Sequence, residues 1–95
     1  MQLILYSKPS CHLCERLQEK LEQIKTLNIN VEIRDITTRE DWFETYQYEI
    51  PVLSQEWGGT EKIIPRPSPR ISVARLEQLL QKTYIIEQSI KDTLY

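Results

Sequence analysis

Both cysteines and the single histidine of this 95-residue chain fall in four consecutive positions, Cys11-His12-Leu13-Cys14. What flanks them makes this the most constraining feature of the sequence. Before them stands the apolar run Leu3-Ile4-Leu5-Tyr6, closed by Ser7-Lys8-Pro9-Ser10, which reads as a short buried strand. After them, Leu13, Leu17, Leu21, Ile24 and Leu27 recur in steps of four and three. That is one apolar stripe of an amphipathic helix, expected to end near Asn28. Pro9 sets the entry of the chain, and Ser10 is the expected cap. A C-x-x-C pair at a strand-to-helix junction near the start of an α/β pattern reads as a thiol–disulfide redox motif.

The competing uses of two cysteines are weaker. Small secreted domains held by disulfides carry more cysteines, widely spread. A bridge across two residues removes little entropy from the unfolded chain, so a structural staple explains the pair poorly. Two unrelated thiols in a reducing compartment are the other plain reading. Twelve basic and fourteen acidic residues nearly cancel, and no charge imbalance points to nucleic acid or to an anionic membrane. No apolar run reaches the length of a membrane span, and the N-terminus lacks a secretory signal pattern. Neither nucleic acid nor membrane is therefore expected as a partner, and the expected location is cytoplasmic.

The remaining elements follow from periodicity. Val31-Glu32-Ile33-Arg34-Asp35-Ile36 alternates with period two, a second strand with Val31 and Ile33 on one face. Joined to the first by a helix, it should pair in parallel through a right-handed crossover. Thr37 or Thr38 is the expected cap of a short second helix, with Glu40 and Asp41 in its first turn. Trp42, Phe43 and Tyr46 are its packing residues. Ile50-Pro51-Val52-Leu53-Ser54 opens a third strand, with the proline at its start where no ladder donor is needed. The only glycines, Gly58 and Gly59, mark a hairpin loop before Glu61-Lys62-Ile63-Ile64. Pro65-Arg66-Pro67-Ser68-Pro69-Arg70 is an extended connector. Ser72 caps a third helix with Val73, Leu76, Leu79 and Leu80 inward, reaching at least Lys82. Residues 1–82 thus read as one domain. Residues 83–95, with Ile85, Ile86, Ile90 and Leu94 at amphipathic spacing, either extend the helix, dock separately or fray. The order is β-α-β-α-β-β-α, an α/β arrangement around a four-stranded mixed sheet.

With that order, the chain resembles the glutaredoxin-like branch of the thioredoxin-fold superfamily over residues 2–81. The resemblance rests on Leu3 to Cys14, on Val31-Glu32-Ile33-Arg34-Asp35-Ile36 and on Tyr48-Glu49-Ile50-Pro51-Val52-Leu53. It implies a thioredoxin-like (glutaredoxin-type) three-layer fold and a Cys11/Cys14 dithiol–disulfide cycle. Cys11 would sit at a helix N-terminus, which favours its thiolate, and act as the nucleophile. Cys14, one turn further in, would resolve the mixed disulfide. The resemblance also implies a cis peptide bond at Pro51, with the backbone N–H and C=O of Ile50 offered to an extended substrate. Lys8 would pair with a glutathione carboxylate or favour the thiolate, and His12 would tune it when charged; apart from the resemblance, Arg70 or the N–H groups near Ser72 would meet a carboxylate.

The expected substrate is a protein disulfide or a glutathione mixed disulfide, handled by a monomer. No cofactor is expected to be tightly bound, and the electrons would come from glutathione or a thioredoxin-type reductant. The motif departs from glutaredoxins in having His12 and Leu13 between the cysteines. The Gly-Gly and acidic signature before the last helix is replaced by Pro67-Ser68-Pro69-Arg70-Ile71-Ser72. Two alternatives stay open. One is an iron–sulfur or metal binding module, which one chain cannot close with two cysteines and one histidine. The other is an interaction module without redox turnover.

Overall fold

The computed structural model describes residues 1–65, 67–68 and 70–93, with side chains as far as residue 83. The elements are β1 (Gln2–Ser7), α1 (His12–Glu22), β2 (Asn30–Asp35), a 3-10 turn (Ile36–Thr38), α2 (Glu40–Tyr46), β3 (Val52–Trp57), β4 (Thr60–Ile63) and α3 (Val73–Thr93). The strands form one sheet in the order β2-β1-β3-β4. β1 runs parallel to β2, with Leu3 opposite Val31, and antiparallel to β3, with Tyr6 opposite Val52. The expected element order and mixed sheet are both present.

β1 is covered on both faces, which is why its apolar residues run without alternation. Leu3 and Leu5 face α1 and α3, in a cluster with Leu17, Leu21, Ile24, Leu53, Ile64, Leu76 and Leu80. Ile4 and Tyr6 face the other way, with Ile36, Val52, and the half-buried Trp42, Tyr46 and Ile50. The result is three layers, two helices on one side of the sheet and the short α2 on the other. Gly58 and Gly59 make a two-residue hairpin turn at φ 57° and 81° between the paired Trp57 and Thr60. Positive φ at both central positions is the demand of a type I′ turn.

Several local expectations are corrected. α1 stops at Glu22 rather than near Asn28. The N–H groups of Gln23 and Ile24 turn back to the carbonyls of Lys20 and Leu21 in tighter three-residue bonds. The chain must then lead into β2, where the Asn28 carbonyl accepts from the Met1 ammonium at 2.8 Å and the Asn30 N–H donates to the Met1 carbonyl. Ile24 stays buried and Leu27 still packs against the core. Ile33 is exposed because β2 is an edge strand. Thr37 and Thr38 do not cap α2. Asp35 accepts the Thr37 N–H at 2.9 Å and caps the 3-10 turn, both threonine hydroxyls bond back to Asp35, and Arg39 leads α2 without a side-chain cap. Phe43 is exposed rather than packed.

Ser72 does cap α3, its hydroxyl accepting the Arg75 N–H at 3.1 Å. The connector bends where the Ile71 N–H meets the Ser68 carbonyl at 2.9 Å, while Arg66 and Pro69 lie outside the described residues. The backbone of α3 continues as one helix to Thr93. Leu94 and the side chains of Ile85, Ile86 and Ile90 lie outside the described residues.

Candidate active site

The chain leaves β1 at Ser7 and turns at once. The Cys11 N–H donates to the Lys8 carbonyl at 3.3 Å, with Pro9 second and Ser10 third in the turn at φ 64°. Proline at the second position and a positive φ at the third are the pattern of a type II turn. Ser10 is therefore not the helix cap. Cys11 is: its backbone is extended (φ −90°, ψ 99°), and its Sγ accepts the Cys14 N–H at 3.2 Å. The first-turn N–H groups of a helix have no partner within it, and together with the helix dipole they favour negative charge at that sulfur.

Cys11 and Cys14 are joined in a disulfide with their Cα atoms 5.3 Å apart. The two sulfurs are not equivalent. Cys14 is 3% exposed, whereas Cys11 is half-buried at the surface. Leu13 between them, expected on the core stripe, is 41% exposed. It lines a small cleft with Leu17, Lys20, Pro51, Pro67, Ser68 and Ile71.

The Ile50–Pro51 bond is cis, as the resemblance implied. The register that sets Val52 opposite Tyr6 brings Pro51 level with Ser7 at the exit of β1. The Ile50 N–H, expected to face a substrate, instead donates to the Tyr46 carbonyl at 3.1 Å. It closes the turn after α2 and would have to give up that bond to pair with anything else. Lys8 is exposed. His12 is exposed too, its Nδ1 3.6 Å from a Glu15 carboxylate oxygen. Arg70 is exposed, with its N–H on Ser68 Oγ at 3.3 Å, and it does not line the cleft. Of the candidate residues, then, Pro51 shares the cleft with Leu13 of the cysteine motif, Lys8 and His12 flank Cys11 along the chain, and Arg70 lies between the cleft residues Ser68 and Ile71 without lining the cleft itself.

The sequence reading missed two sets of residues. One is the cleft itself, signalled only by a leucine placed inside the cysteine motif. The other lies behind β1. The Tyr6 ring stacks on Tyr46 (centroids 4.3 Å apart) and meets the edge of Trp42 at 5.9 Å. Its hydroxyl donates to Glu61 Oε1 at 2.6 Å and accepts from Arg34 Nη1 at 3.0 Å, and the Ser54 hydroxyl donates to the same Glu61 oxygen at 2.7 Å. Arg34 is also paired with Glu32. Burial, with help from Glu61, raises the Tyr6 pKa above its ordinary 10.0. A serine closing the apolar run Ile50 to Leu53 was the available signal for this network.

Among the described residues, no three His, Cys, Asp or Glu side chains gather as a metal site, and no helix is long and apolar enough to cross a membrane. No curated protein matches the sequence. A structural genomics target protein, XcR50 from X. campestris, is 26% identical, with a TM-score of 0.59 over 84% of this chain and 96% of its own. Thioredoxin 1 from Thermosipho africanus superposes with a TM-score of 0.63 over 93% of this chain and 99% of its own. At 17% identity that likeness speaks to the fold, which is thioredoxin-like. Residues 2–81 match the glutaredoxin-like domain (DUF836), a span holding every strand, the cis proline and the Cys11–Cys14 pair. The chain belongs to the glutaredoxin-like domain family.

Proposed function

We propose that the protein is a thiol–disulfide oxidoreductase in which Cys11 attacks and Cys14 resolves. The observation that carries the reading is the inequality of the two sulfurs. Cys11 is the more exposed of the two residues and its Sγ accepts the Cys14 N–H at the head of α1, whereas Cys14 is buried one turn further in. In the reduced protein the Cys11 thiolate attacks one sulfur of a client disulfide. A Cys11–client bond forms, and the other client sulfur leaves as a thiolate that takes a proton from solvent. Cys14, losing its proton, then attacks Cys11 Sγ. The Cys11–Cys14 bond forms, the second client sulfur is released as a thiol, and two electrons have passed to the client.

Resetting the pair takes two electrons from an external thiol, either glutathione or a thioredoxin-type reductant. Such a supply fits a cytoplasmic setting. Lys8 beside Cys11 adds positive charge at the thiolate, and His12 does the same when protonated.

The test is the thiolate itself. Alkylation rate against pH should give Cys11 a pKa below the usual thiol value of about 8.5. Cys11→Ser should abolish disulfide reduction, and Cys14→Ser should trap a mixed disulfide on Cys11. The assay is run once with glutathione and once with a thioredoxin-reductase system, which decides the reductant. An ordinary thiol pKa with no turnover in either system would sink the proposal.

A further inference from the structure

We infer that the protein carries a second site, in a cavity at the opposite end of the sheet from the cysteines, for a small amphipathic anion. The ligand class is an organic molecule with an apolar body and one carboxylate head. This inference does not rest on the redox reading.

Strand register places the cavity. Val52, at the start of β3, is level with Tyr6 near the exit of β1, whereas Glu56 is level with Gln2. The cavity, of about 480 Å³, lies at that far end. Its floor is the sheet face turned to α1 and α3. Leu53 belongs to that face, and alternation puts Gln55 and Trp57 there too. On the next strand Lys62 stands opposite Gln55, with the buried Ile64 just beyond β4. One wall comes from α3, through Leu79, Lys82 and Thr83.

The pattern along α3 accounts for the space. Val73, Leu76, Leu80 and Thr83 recur in steps of three, four and three, one stripe facing the sheet. Leu76 and Leu80 are fully buried. Thr83 follows them on the stripe, and its hydroxyl donates back to the Leu79 carbonyl at 3.0 Å. A short side chain where the pattern calls for a large apolar one leaves part of the sheet uncovered.

The lining chooses the ligand. The volume lies within the usual range of small-molecule pockets, roughly 300–1,000 Å³. Trp57, Ile64, Pro65 and Leu79 make the lining mostly apolar, which favours a hydrocarbon body. Lys62 and Lys82 are the charged residues that line it, and no carboxylate joins them. Among the described residues neither lysine is in an ion pair. Lys62 is exposed and Lys82 half-buried, so their stems can lie along the apolar wall while both ammonium groups stay in water. An anionic head there meets two cations, a neutral head gains only the burial of its tail, and a cationic head is repelled.

The probe is decanoate, compared with decanol and decylammonium, which keep the tail and change the head. Binding to the full chain is followed by calorimetric titration and amide NMR. Decanoate should bind saturably, one per chain, and shift the amides of Trp57, Lys62 and Lys82. It should bind about five- to tenfold more tightly than decanol, with decylammonium weakest. Lys62→Gln combined with Lys82→Gln should bring decanoate and decanol within about twofold of each other. Thr83→Trp fills the cavity without removing a wall and should abolish binding of all three. Cys11→Ser should leave decanoate affinity unchanged.

Absence of saturable binding would overturn the site, and so would equal affinity for decanoate and decylammonium. Binding that survives Thr83→Trp, or that is lost in Cys11→Ser, would place the ligand elsewhere and overturn it as well. A dimer in sedimentation that decanoate neither enters nor dissociates would give the cavity to a second copy instead. Should Thr83→Trp fail to fold, the lysine variant and the three head groups still decide.

Discussion

The two faces of the sheet hold their helices by different means. On the α1/α3 face the interior is aliphatic: Leu3, Leu5 and Leu53 from the sheet meet Leu17, Leu21, Ile24, Leu76 and Leu80 from the helices. On the α2 face Ile4, Ile36 and Val52 are joined by Tyr6, Trp42 and Tyr46. Beyond them runs a chain of polar groups from every strand: Arg34 on β2, Tyr6 on β1, Ser54 on β3 and Glu61 on β4. The guanidinium groups of Arg34 and Arg39 lie 5.3 and 4.6 Å from the centre of the Trp42 ring, close enough for cation–π attraction.

Helix length accounts for the contrast. α3 spans Val73–Thr93, while α2 has seven residues and cannot cover four strands. Where cover runs out, buried side chains need polar partners, and these four supply one another. The division bears on the site. The cysteine helix is held by aliphatic packing, whereas the turn before the cis proline hangs from Tyr46, which is held by Tyr6.

The largest test of this contrast is a cavity on the aliphatic side. Leu76→Ala removes most of a fully buried side chain and should cost about 3 kcal/mol in urea unfolding. A loss under about 1 kcal/mol would mean that this face is not packed as described.

Next comes Tyr6→Phe, which keeps the ring and removes the hydroxyl shared by Glu61 and Arg34. Its expected cost is about 1–2 kcal/mol, most of it from partners left unsatisfied. The same variant sharpens the comparison through pH. Folding raises the Tyr6 pKa, chiefly by burial, so the folded protein keeps a proton that the unfolded chain gives up. That part of its stability is intact below the ordinary value of 10.0 and is lost as pH climbs through the folded value. The stability gap between wild type and Tyr6→Phe should therefore narrow above pH 10, and a widening gap would contradict the assignment.

Glu61→Gln keeps an acceptor for Tyr6 and Ser54 but removes the charge lying 3.6 Å from Arg34. Glu61 is partly exposed, so the effect should be below about 1 kcal/mol and should shrink further in high salt.

The smallest effect belongs to the turn before the cysteines. Ser10→Gly removes the Cβ at φ 64° and should stabilise by roughly 0.5 kcal/mol, since glycine also loses more freedom on folding. Destabilisation would show that the Ser10 side chain has a role beyond the turn.

Much of the fold was legible because its signals are local. The apolar run at β1 reflects cover on both faces, and the leucine spacing marks α1 and α3. Ser72 and the Gly58-Gly59 turn carry their own chemistry. Elements were misjudged where burial depends on a neighbour distant in sequence. Ile33 has the alternation of a buried residue yet sits on an edge strand. Leu13 keeps the helical step but is 41% exposed, on a cleft with Pro51, Pro67 and Ile71. Ser10 has the composition of a cap, but the tight turn from Lys8 to Cys11 moves the cap one residue on. Ile50 was expected to present its N–H outward, and the turn after α2 consumes it.

The sequence by itself determined the redox motif, the element order and the placing of Cys11 at the head of a helix. These depend on spacing and on residues adjacent in the chain. The tertiary structure decided that the cis Ile50–Pro51 bond, which the resemblance implied, stands level with the exit of β1, and that Leu13 opens into a cleft with Pro51, Pro67 and Ile71. It also assembled Arg34, Tyr6, Ser54 and Glu61 into one network. Those features arise from strand register and layer packing, which join residues far apart in sequence, and no local pattern encodes them.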